Sequence, residues 1–357
     1  MRRLMDFGLR SGVPVCASLY SSVGARCRIC SAGLVALGLS VLGGCGSIEV
    51  ALGLRTRLDK VPVAALSASL SPEALSPGES GRLVIVATTT DGKAMATVGA
   101  GHGRVLFDSF TFDASVAAVN KKGVVSLSAD PRISDGRMPH VRISAIGHPE
   151  VVAELDIPVR YDAAFTAHFS GRPGFNGISG LDGLSGSDGA AGSADLNNPS
   201  AGGRGSDGTN GGDGQDGGAG EPGQTVHLWM TLKPDSHTLL QVRAASPDHE
   251  QFFLVDPNGG SLAIDASGGR GGSGGSGGRG GRGGSGGIGF PNGFSGSDGR
   301  DGSNGRAGPD GAAGAIVVSV DPLATQFLGR IHFANKSGSG AAGPAPEVRI
   351  EPVPALW

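Results

Sequence analysis

Glycine occupies every third position in four long segments of this chain, and that period limits the available folds more than any other feature. We number the segments run 1 (171–192), run 2 (202–223), run 3 (268–289) and run 4 (293–314). Each run holds eight glycines in one phase, and we count the three places of a triplet from that glycine. The chain has 66 glycines in 357 residues, a bias that indicates either a special backbone geometry or disorder. Runs of equal length favour ordered elements that lie side by side.

The N-terminal segment predicts export and lipid attachment. Residues 1–44 carry five arginines and one acid, and the apolar stretch 29–42 suits a signal peptide but is short for a membrane-spanning helix of about 20 residues. It ends in Leu42-Gly-Gly-Cys45, which resembles the lipobox of bacterial lipoproteins. The resemblance implies that residues 1–44 are a signal peptide, that Cys45 is lipidated and held at the membrane, and that residues 45–62 form a tether. Gly46 stands where an Asp would resemble the inner-membrane retention signal, so the implied location is the outer membrane of the cell envelope.

The other three cysteines, Cys16, Cys27 and Cys30, lie within the predicted signal peptide. The Cys27–Cys30 spacing matches a redox or zinc pair, but removal of residues 1–44 would leave only the lipidated Cys45. We therefore expect no disulfide and no cysteine metal site in the mature protein. The net charge of −3 gives no electrostatic reason to expect nucleic acid as a partner.

Residues 63–161 predict short strands separated by turn signals, without a helical period. Asp91-Gly92 follows the β-branched segment 82–90 and is typical of a hairpin turn. Turn signals at this spacing favour a β-sandwich. The other predicted strands are 105–107, 116–119, 123–127, 140–146 and 151–159.

Two motifs in this region point to a family. Ser76-Pro-Gly-Glu79 precedes the long apolar strand, and Ser115-Val-Ala-Ala-Val-Asn-Lys-Lys-Gly-Val-Val-Ser-Leu127 lies near the middle. Together they resemble bacterial immunoglobulin-like domains, in which the second motif marks two paired strands and the Gly between them. The resemblance implies an Ig-like β-sandwich over residues 63–161 that acts as a spacer or adhesion module without an active site.

Residues 162–357 contain the glycine runs in a tandem repeat. The order strand, run, connector, run, strand occurs twice, which predicts two similar units and a fold that is mainly β. The strands that flank the runs are predicted at 165–169 and 225–232 in the first unit, and at 261–265 and 315–321 in the second. Additional strands are predicted at 239–242, 252–255, 326–334 and 347–352.

Three arrangements of the runs are consistent with the triplet period. Glycine at every third place resembles collagen, which would make a trimeric surface protein, but the runs contain only Pro173, Pro222 and Pro309. Polyglycine-II bundles, which glycine-rich antifreeze proteins and some phage adhesin tips resemble, pack extended threefold helices of one chain side by side, each about 70 Å long here. Flexible linkers are also rich in Gly and Ser, although disorder does not require a strict phase. The in-phase runs closed by strands favour the bundle.

The places within the triplets predict which run is enclosed. Run 3 has a second glycine in seven triplets, so we expect it to be the most enclosed. Arginines of run 3 and aspartates of run 2 occupy the same triplet place and predict ion pairs: Arg270, Arg279 and Arg282 with Asp207, Asp213 and Asp216. Run 1 has an apolar stripe at its second place that we expect to pack on the strands: Phe175, Ile178, Leu181 and Leu184.

The sequence shows no pattern typical of catalytic or cofactor-binding residues. The eight histidines are scattered without ligand spacing, and the G-x-G-x-x-G match at 203–208 is nearly automatic in a glycine run. A calcium-repeat resemblance at 211–216 lacks its large apolar residue and a tandem copy. We therefore expect no enzyme activity, no catalytic residues, no cofactor and no metal. The prediction is a lipid-anchored structural or adhesion protein; the alternative is a surface module that binds a glycan or protein ligand on the flat face of the bundle.

Overall fold

The computed structural model of this chain describes residues 50, 52, 54–99, 104–234 and 239–357, and in them the protein is mainly β. Cys45 and the predicted signal peptide lie outside the described residues. None of the described helices has the length and apolarity to cross a membrane. Short 3₁₀ helices occur at Leu58–Lys60, Phe107–Ser109, Pro131–Ile133 and Pro322–Arg330.

The first half of the structure contains two antiparallel sheets. One has the strand order β1-β2-β6-β5 with β3 paired to β2, and the other has the order β4-β7-β8. The inward faces of both sheets share one hydrophobic core, which includes Leu83, Ile85, Val125 and Ile143. The strands are β1 (Val63–Ser71), β2 (Ser80–Thr89), β3 (Ala94–Ala96), β4 (Phe110–Ser115), β5 (Ala117–Val119), β6 (Val124–Leu127), β7 (His140–Ala145) and β8 (His148–Asp156).

Local sequence explains how these strands form and turn. Along β2 the buried and less buried residues alternate, as a strand with one face on a core requires. Asp91-Gly92 makes the predicted hairpin between β2 and β3, with Gly92 at a φ of 81°. The predicted pair around Gly123 is present as β5 and β6, and Gly123 supplies the left-handed φ of 72° in the turn.

One predicted strand in this half is wrong, and three strands, β1, β3 and β4, went unpredicted. Residues 105–107 make only a bridge at Val105 before the 3₁₀ helix begins at Phe107. The strand that follows, β4, pairs with β7 over its whole length. β1 also lacks a prediction, since its alternating small and polar residues give a weak signal.

The second half contains two more sheets around a second core. One has the order β12-β11-β10-β14-β16, and the other has the parallel order β15-β13-β9. Their shared core includes Phe169, Leu228, Met230, Leu262 and Val318. The strands are β9 (Ala164–His168), β10 (Val226–Leu232), β11 (Leu240–Ala245), β12 (Glu250–Val255), β13 (Ser261–Asp265), β14 (Ile316–Val320), β15 (Ile331–Ala334) and β16 (Glu347–Ile350).

The predicted strand 326–334 is only partly correct. Residues 322–330 form a 3₁₀ helix, whose first turn is capped by the Asp321 carboxylate through the Leu323 N–H. Pro322 fits the first helical position because it has no N–H to satisfy there. The strand begins at Ile331, where the buried side chain enters the core.

Polar and aromatic contacts join the two halves near Asp135. Its carboxylate forms an ion pair with Lys233 and accepts a hydrogen bond from the Trp357 indole N–H at 3.0 Å. The Arg132 guanidinium stacks over the Phe252 ring, 3.6 Å from its centroid. Side chains from residues 129–135 therefore hold the second half against the first.

Candidate binding surface on the glycine runs

Each glycine run continues directly from a strand or leads directly into one. Run 1 follows β9 and run 3 follows β13, and these two strands pair in parallel. Their ladder extends into the runs without a break, because Phe169 donates to the Asp265 carbonyl and Gly171 donates to the Ser267 carbonyl. Runs 2 and 4 enter the parallel strands β10 and β14 in the same way, so the paired strands set the register of the paired runs.

Backbone hydrogen bonds join all four runs laterally. In one layer, Gly302 donates to Gly278 at 2.8 Å, Gly278 to Gly212 at 2.9 Å, and Gly212 to the Leu181 carbonyl at 2.8 Å. The same connections repeat at every triplet, while first-place glycines of runs 1 and 2 donate to runs 3 and 4. Runs 2 and 3 each bond to three runs, and in the described chain runs 1 and 4 share no hydrogen bond. Runs 2 and 3 therefore form the short diagonal of a rhombus.

Run 3 is the most enclosed run, as its doubled glycines predict. Its second-place glycines are all buried, from Gly269 to Gly287. A Cβ on Gly278 would lie closer than 3.0 Å to the carbonyl of Leu181 in run 1. By contrast, a Cβ on Gly212, at the second place of run 2, would meet nothing closer than 3.3 Å. The close approach of backbones requires glycine at Gly278 in run 3 but not at Gly212 in run 2.

Carboxylate and amide oxygens at third places complete the lateral bonding. The Asp213 carboxylate accepts from the Ser303 N–H at 2.7 Å and from its hydroxyl at 2.8 Å. The Ser303 N–H first and its hydroxyl second hold the pKa of Asp213 below its ordinary value. Asp and Asn residues of runs 1, 2 and 4 act in the same way on backbone N–H groups: Asn176, Asp182, Asp188, Asp207, Asn210, Asp216, Asp298, Asp301, Asn304 and Asp310.

The predicted ion pairs between runs 2 and 3 are wrong. The aspartates of run 2 face run 4 and accept its backbone N–H groups, and among the described residues the ion pair of Asp207 is with Arg204. Arg270, Arg279 and Arg282 project from the exposed third places of run 3. The carboxylates at third places accept backbone N–H groups, a role that was not predicted from the sequence. The recurrence of Asp and Asn at third places was the signal that could have indicated it.

The apolar stripe of run 1 does not pack on the strands, which overturns that prediction. Phe175 is 73% exposed, Ile178 68%, Leu181 85% and Leu184 75%. The stripe carbonyls bond to second-place N–H groups of run 2, so the side chains point away from the bundle. At a rise of about 3.1 Å per residue the four side chains stand about 9 Å apart. We call these four residues the run 1 stripe.

Run 2 forms a low border beside the run 1 stripe. A Cβ on Gly218 would overlap the Phe175 ring, so glycine lets this ring lie flat over run 2. Gly212 bonds to Leu181 in the same ladder and adds no side chain. The Thr209 hydroxyl accepts a hydrogen bond from the Leu184 N–H at 2.7 Å. Gln215, which is exposed, bonds to Ile178, so the stripe is a row of exposed apolar side chains beside alternating glycine and polar residues of run 2.

A second apolar group lies at the end of the bundle that is remote from the strands. The connector between runs 1 and 2 exposes Leu196, and the connector between runs 3 and 4 exposes Phe290. Ile288 and Phe294, at the adjacent run ends, are also exposed. Exposed large apolar groups on a soluble surface typically mark interaction sites.

Three of the described histidines have separate local partners. His140 bonds to Asp156 at 2.8 Å, His148 to the Val61 carbonyl at 2.9 Å, and His227 to Ser319 at 3.0 Å. Burial, and next the nearby Arg349, lower the pKa of His227. In residues 54–99, 104–234 and 239–357 no group of three His, Cys, Asp or Glu side chains is arranged to hold a metal ion.

Comparison with known proteins assigns no function to this surface. The chain matches no model of a known protein family. It also matches no curated protein in sequence. The functional interpretation therefore depends on the geometry of the runs and on the motifs of the chain.

Proposed function

We propose that this protein is a lipid-anchored cell-envelope protein without catalytic activity that presents the glycine runs as an adhesion surface. Residues 1–44 serve as the signal peptide, Cys45 carries the lipid to the outer membrane, and the tether is shorter than the predicted 45–62, because Thr56 bridges to Val105 and Leu58 is buried in the first core. Residues 63–161 act as the spacer, and residues 162–357 carry the surface outward. The lipobox residues support the anchor, and the run 1 stripe supports adhesion.

The proposal includes a finer assignment of both halves. We assign residues 63–161 to the immunoglobulin-like sandwiches, supported by two sheets on one core and by the β5–Gly123–β6 pair. We assign the runs to a single-chain polyglycine-II bundle. Its support is the triplet repeat of lateral N–H to C=O bonds between runs of one chain, without strand pairing inside them. In a collagen-like trimer, these donors would instead be used between chains.

The main support for an adhesion function is the run 1 stripe, which lies on a run that is hydrogen-bonded to runs 2 and 3. Four exposed apolar side chains in one line are unfavourable in water, and burial of each against a partner would contribute about 1.5–3 kcal/mol. Lateral bonding on both sides of run 1 fixes their spacing before a partner arrives, which lowers the entropy cost of binding. A rigid line of apolar groups suits a contact surface better than a catalytic pocket.

The second candidate function is a binding module for a glycan or protein ligand on this same face. Aliphatic Ile178, Leu181 and Leu184 favour an apolar protein segment over a glycan, because sugar hydroxyls need polar partners when buried. A glycan array and a peptide array probed with the protein separate these ligand classes. Binding to glycans that persists after loss of the stripe would favour a glycan site elsewhere on the runs.

The anchor is tested by fractionation of cells that produce the Cys45→Ala variant. We expect the wild-type protein in the outer-membrane fraction and the variant in another fraction or as unprocessed precursor, because lipidation requires the thiol. A Cys16→Ala variant is the matched control and should fractionate as wild type. Equal amounts of processed protein from both variants in the outer-membrane fraction would refute the lipid anchor.

Adhesion is tested with the double variant Phe175→Ser/Leu181→Ser. We expect attachment of producing cells to a surface or to each other to fall about tenfold or more, since two apolar contacts are lost. The control, Leu323→Ser/Ile350→Ser, changes two equally exposed apolar residues outside the runs. If the control reduces attachment as much as the stripe variant, the stripe is not the adhesion surface.

A further inference from the structure

A basic cleft of about 670 Å³ opens in the first half of the structure, remote in sequence from the glycine runs. Five cationic side chains line it, and they come from four separate segments of the chain. Among the described residues that line the cleft, Asp108 is the only acid. The chain as a whole has a net charge of −3, so this local excess of positive charge opposes the overall balance. The cations are Arg55, Arg82, Arg104, Lys121 and Lys122.

The turn between β5 and β6 holds two of these cations in place. The Asn120 side-chain oxygen accepts from the N–H groups of Lys122 and Val124, at 2.8 Å and 3.0 Å. Gly123 adopts a left-handed φ, and a Cβ there would overlap the Phe107 ring, which therefore packs on the turn. Phe107 also lines the cleft. The fold thus places two lysines beside an aromatic ring.

Arg104 is the one of the five cations that has a buried hydrogen-bond donor without a partner among the described residues. Its Nε is buried and has no hydrogen-bond partner. Its main chain is held by bridges of the 104–105 segment to Ala96 and Thr56. A buried donor without a partner destabilises the fold. Arg104 also lines the cleft, so an anion in the cleft would meet this side chain.

Arg82, Lys121 and Lys122 also form no ion pair within the described parts of the chain. Uncompensated cations held together from separate segments repel one another, which is unfavourable unless an anion joins them. A guanidinium offers a planar pair of donors that matches the oxygens of a phosphate. Leu106 and Phe107 add apolar surface to the same cleft. The combination fits a phosphate that carries an apolar group.

We propose that this cleft binds the anionic phosphate headgroup of a membrane lipid. The choice of a lipid over another anion rests on the proposed anchor at Cys45. Arg55 lies ten residues after Cys45 in the sequence, a span of at most about 36 Å when extended. The tether would therefore keep the cleft near the headgroups, and each cation at an anionic surface strengthens attachment about fivefold.

Calorimetric titration of the full-length chain in a non-ionic detergent tests the proposal. The probes are short-chain phosphatidylglycerol, short-chain phosphatidylcholine and inorganic phosphate. We expect phosphatidylglycerol to bind at least about tenfold more tightly than the other two, and more weakly as salt is added. The variant Arg104→Gln/Lys121→Gln should lose at least about tenfold in affinity.

The matched control removes two arginines from the exposed third places of run 3, Arg270→Gln/Arg279→Gln, and should bind as wild type. Equal losses in both variants would overturn the cleft assignment, as would absence of phosphatidylglycerol binding. Inorganic phosphate that binds as tightly as phosphatidylglycerol would overturn the lipid assignment. Thermal unfolding of each variant checks that it is folded, and Arg104→Gln should not lower stability, because it removes an unsatisfied donor.

Repeating the titration in the Cys45→Ala chain separates this proposal from the proposed anchor. Headgroup binding that persists in this chain shows that the cleft acts without the lipid. Failure of the anchor appears only in cell fractionation, whereas failure of the cleft appears only in the titration.

Discussion

The core of the first half and the contact zone of the glycine runs exclude water by opposite means. Between the first two sheets, Leu83, Ile85 and Ile143 fill the space completely with side chains. Between the runs, backbone donors and acceptors meet directly, and the side chains that bridge neighbouring runs, such as Asp213, lie at exposed third places. A side-chain core separates facing sheets by about 10 Å, whereas glycine lets neighbouring backbones touch.

The second half shows how one type of packing changes into the other. The parallel pairs β9–β13 and β10–β14 lie on opposite sides of a side-chain core, and beyond them the same paired chains continue as runs that contact each other. The change occurs where the large buried residues end, after Phe169 and Ile264 on one side. Strand register is therefore carried into a region that has no hydrophobic core, because every third residue there lacks a Cβ.

The largest expected effect comes from adding one carbon atom to the enclosed run. In the Gly278→Ala variant the new Cβ would meet the Leu181 carbonyl, which backbone bonds hold in place. We expect a loss of about 3 kcal/mol or more in unfolding free energy, at the upper end for overpacking, because a backbone cannot rotate away as a side chain can. Urea unfolding, with limited proteolysis within the runs, measures the effect.

Gly212→Ala is the matched control, since Gly212 bonds to Gly278 but a Cβ there would come no closer than 3.3 Å to another atom, the Leu181 N. It should be neutral or should stabilise the protein by about 0.5 kcal/mol, through lower entropy of the unfolded chain. Similar destabilisation by both alanines would contradict the close backbone approach at run 3.

A smaller effect is expected when one carbon atom is removed from the side-chain core. Ile85 is fully buried in the first core, and Ile85→Val should cost about 0.5–1.5 kcal/mol, because neighbouring side chains partly fill the gap. Ile133→Val, at an exposed position, should change the unfolding free energy by less than about 0.5 kcal/mol. If Ile85→Val cost more than Gly278→Ala, the two regions would not differ in the way proposed here.

The phase of the glycines made much of the second half predictable, because only contact edges require glycine at fixed intervals. The direction in which side chains at the second and third places point was not predictable in the same way. A second place points inward in run 3 and outward in run 1, and the choice depends on which neighbours surround each run. The sequence of the run 1 stripe, with Leu181 and Leu184, is compatible with either direction.

Other failures of prediction have similar physical causes. Asp213 can pair with a cation or accept a backbone N–H, and an in-phase pattern of aspartates favours neither. The basic cleft was not anticipated, because Arg55, Arg82 and Arg104 are brought together only by tertiary structure. In β4, Phe110 and Phe112 alternate with polar residues, but the segment is short and follows a 3₁₀ helix, which hides its strand period.

The smallest expected effect concerns the side chains that finish the lateral bonding of the runs. Hydrogen bonds from Ser303 lower the pKa of Asp213 in the folded state, so its charged form stabilises the protein above the unfolded pKa. That stability is lost as pH falls through the lower, folded pKa. Asp213→Asn keeps an acceptor but cannot titrate, and we expect its difference from wild type in urea midpoint to shrink between about pH 5 and pH 2.

Asn210 provides the control for this pH dependence, because its neutral amide accepts from the Arg300 N–H at the corresponding third place. Asn210→Ala should lower the midpoint by an amount that does not change over the same pH range. If the difference between wild type and Asp213→Asn grew on acidification, the Ser303 contacts would not favour the charged carboxylate. The aspartates would then contribute to the runs through solubility alone, and the backbone ladder would account for their stability without the side chains.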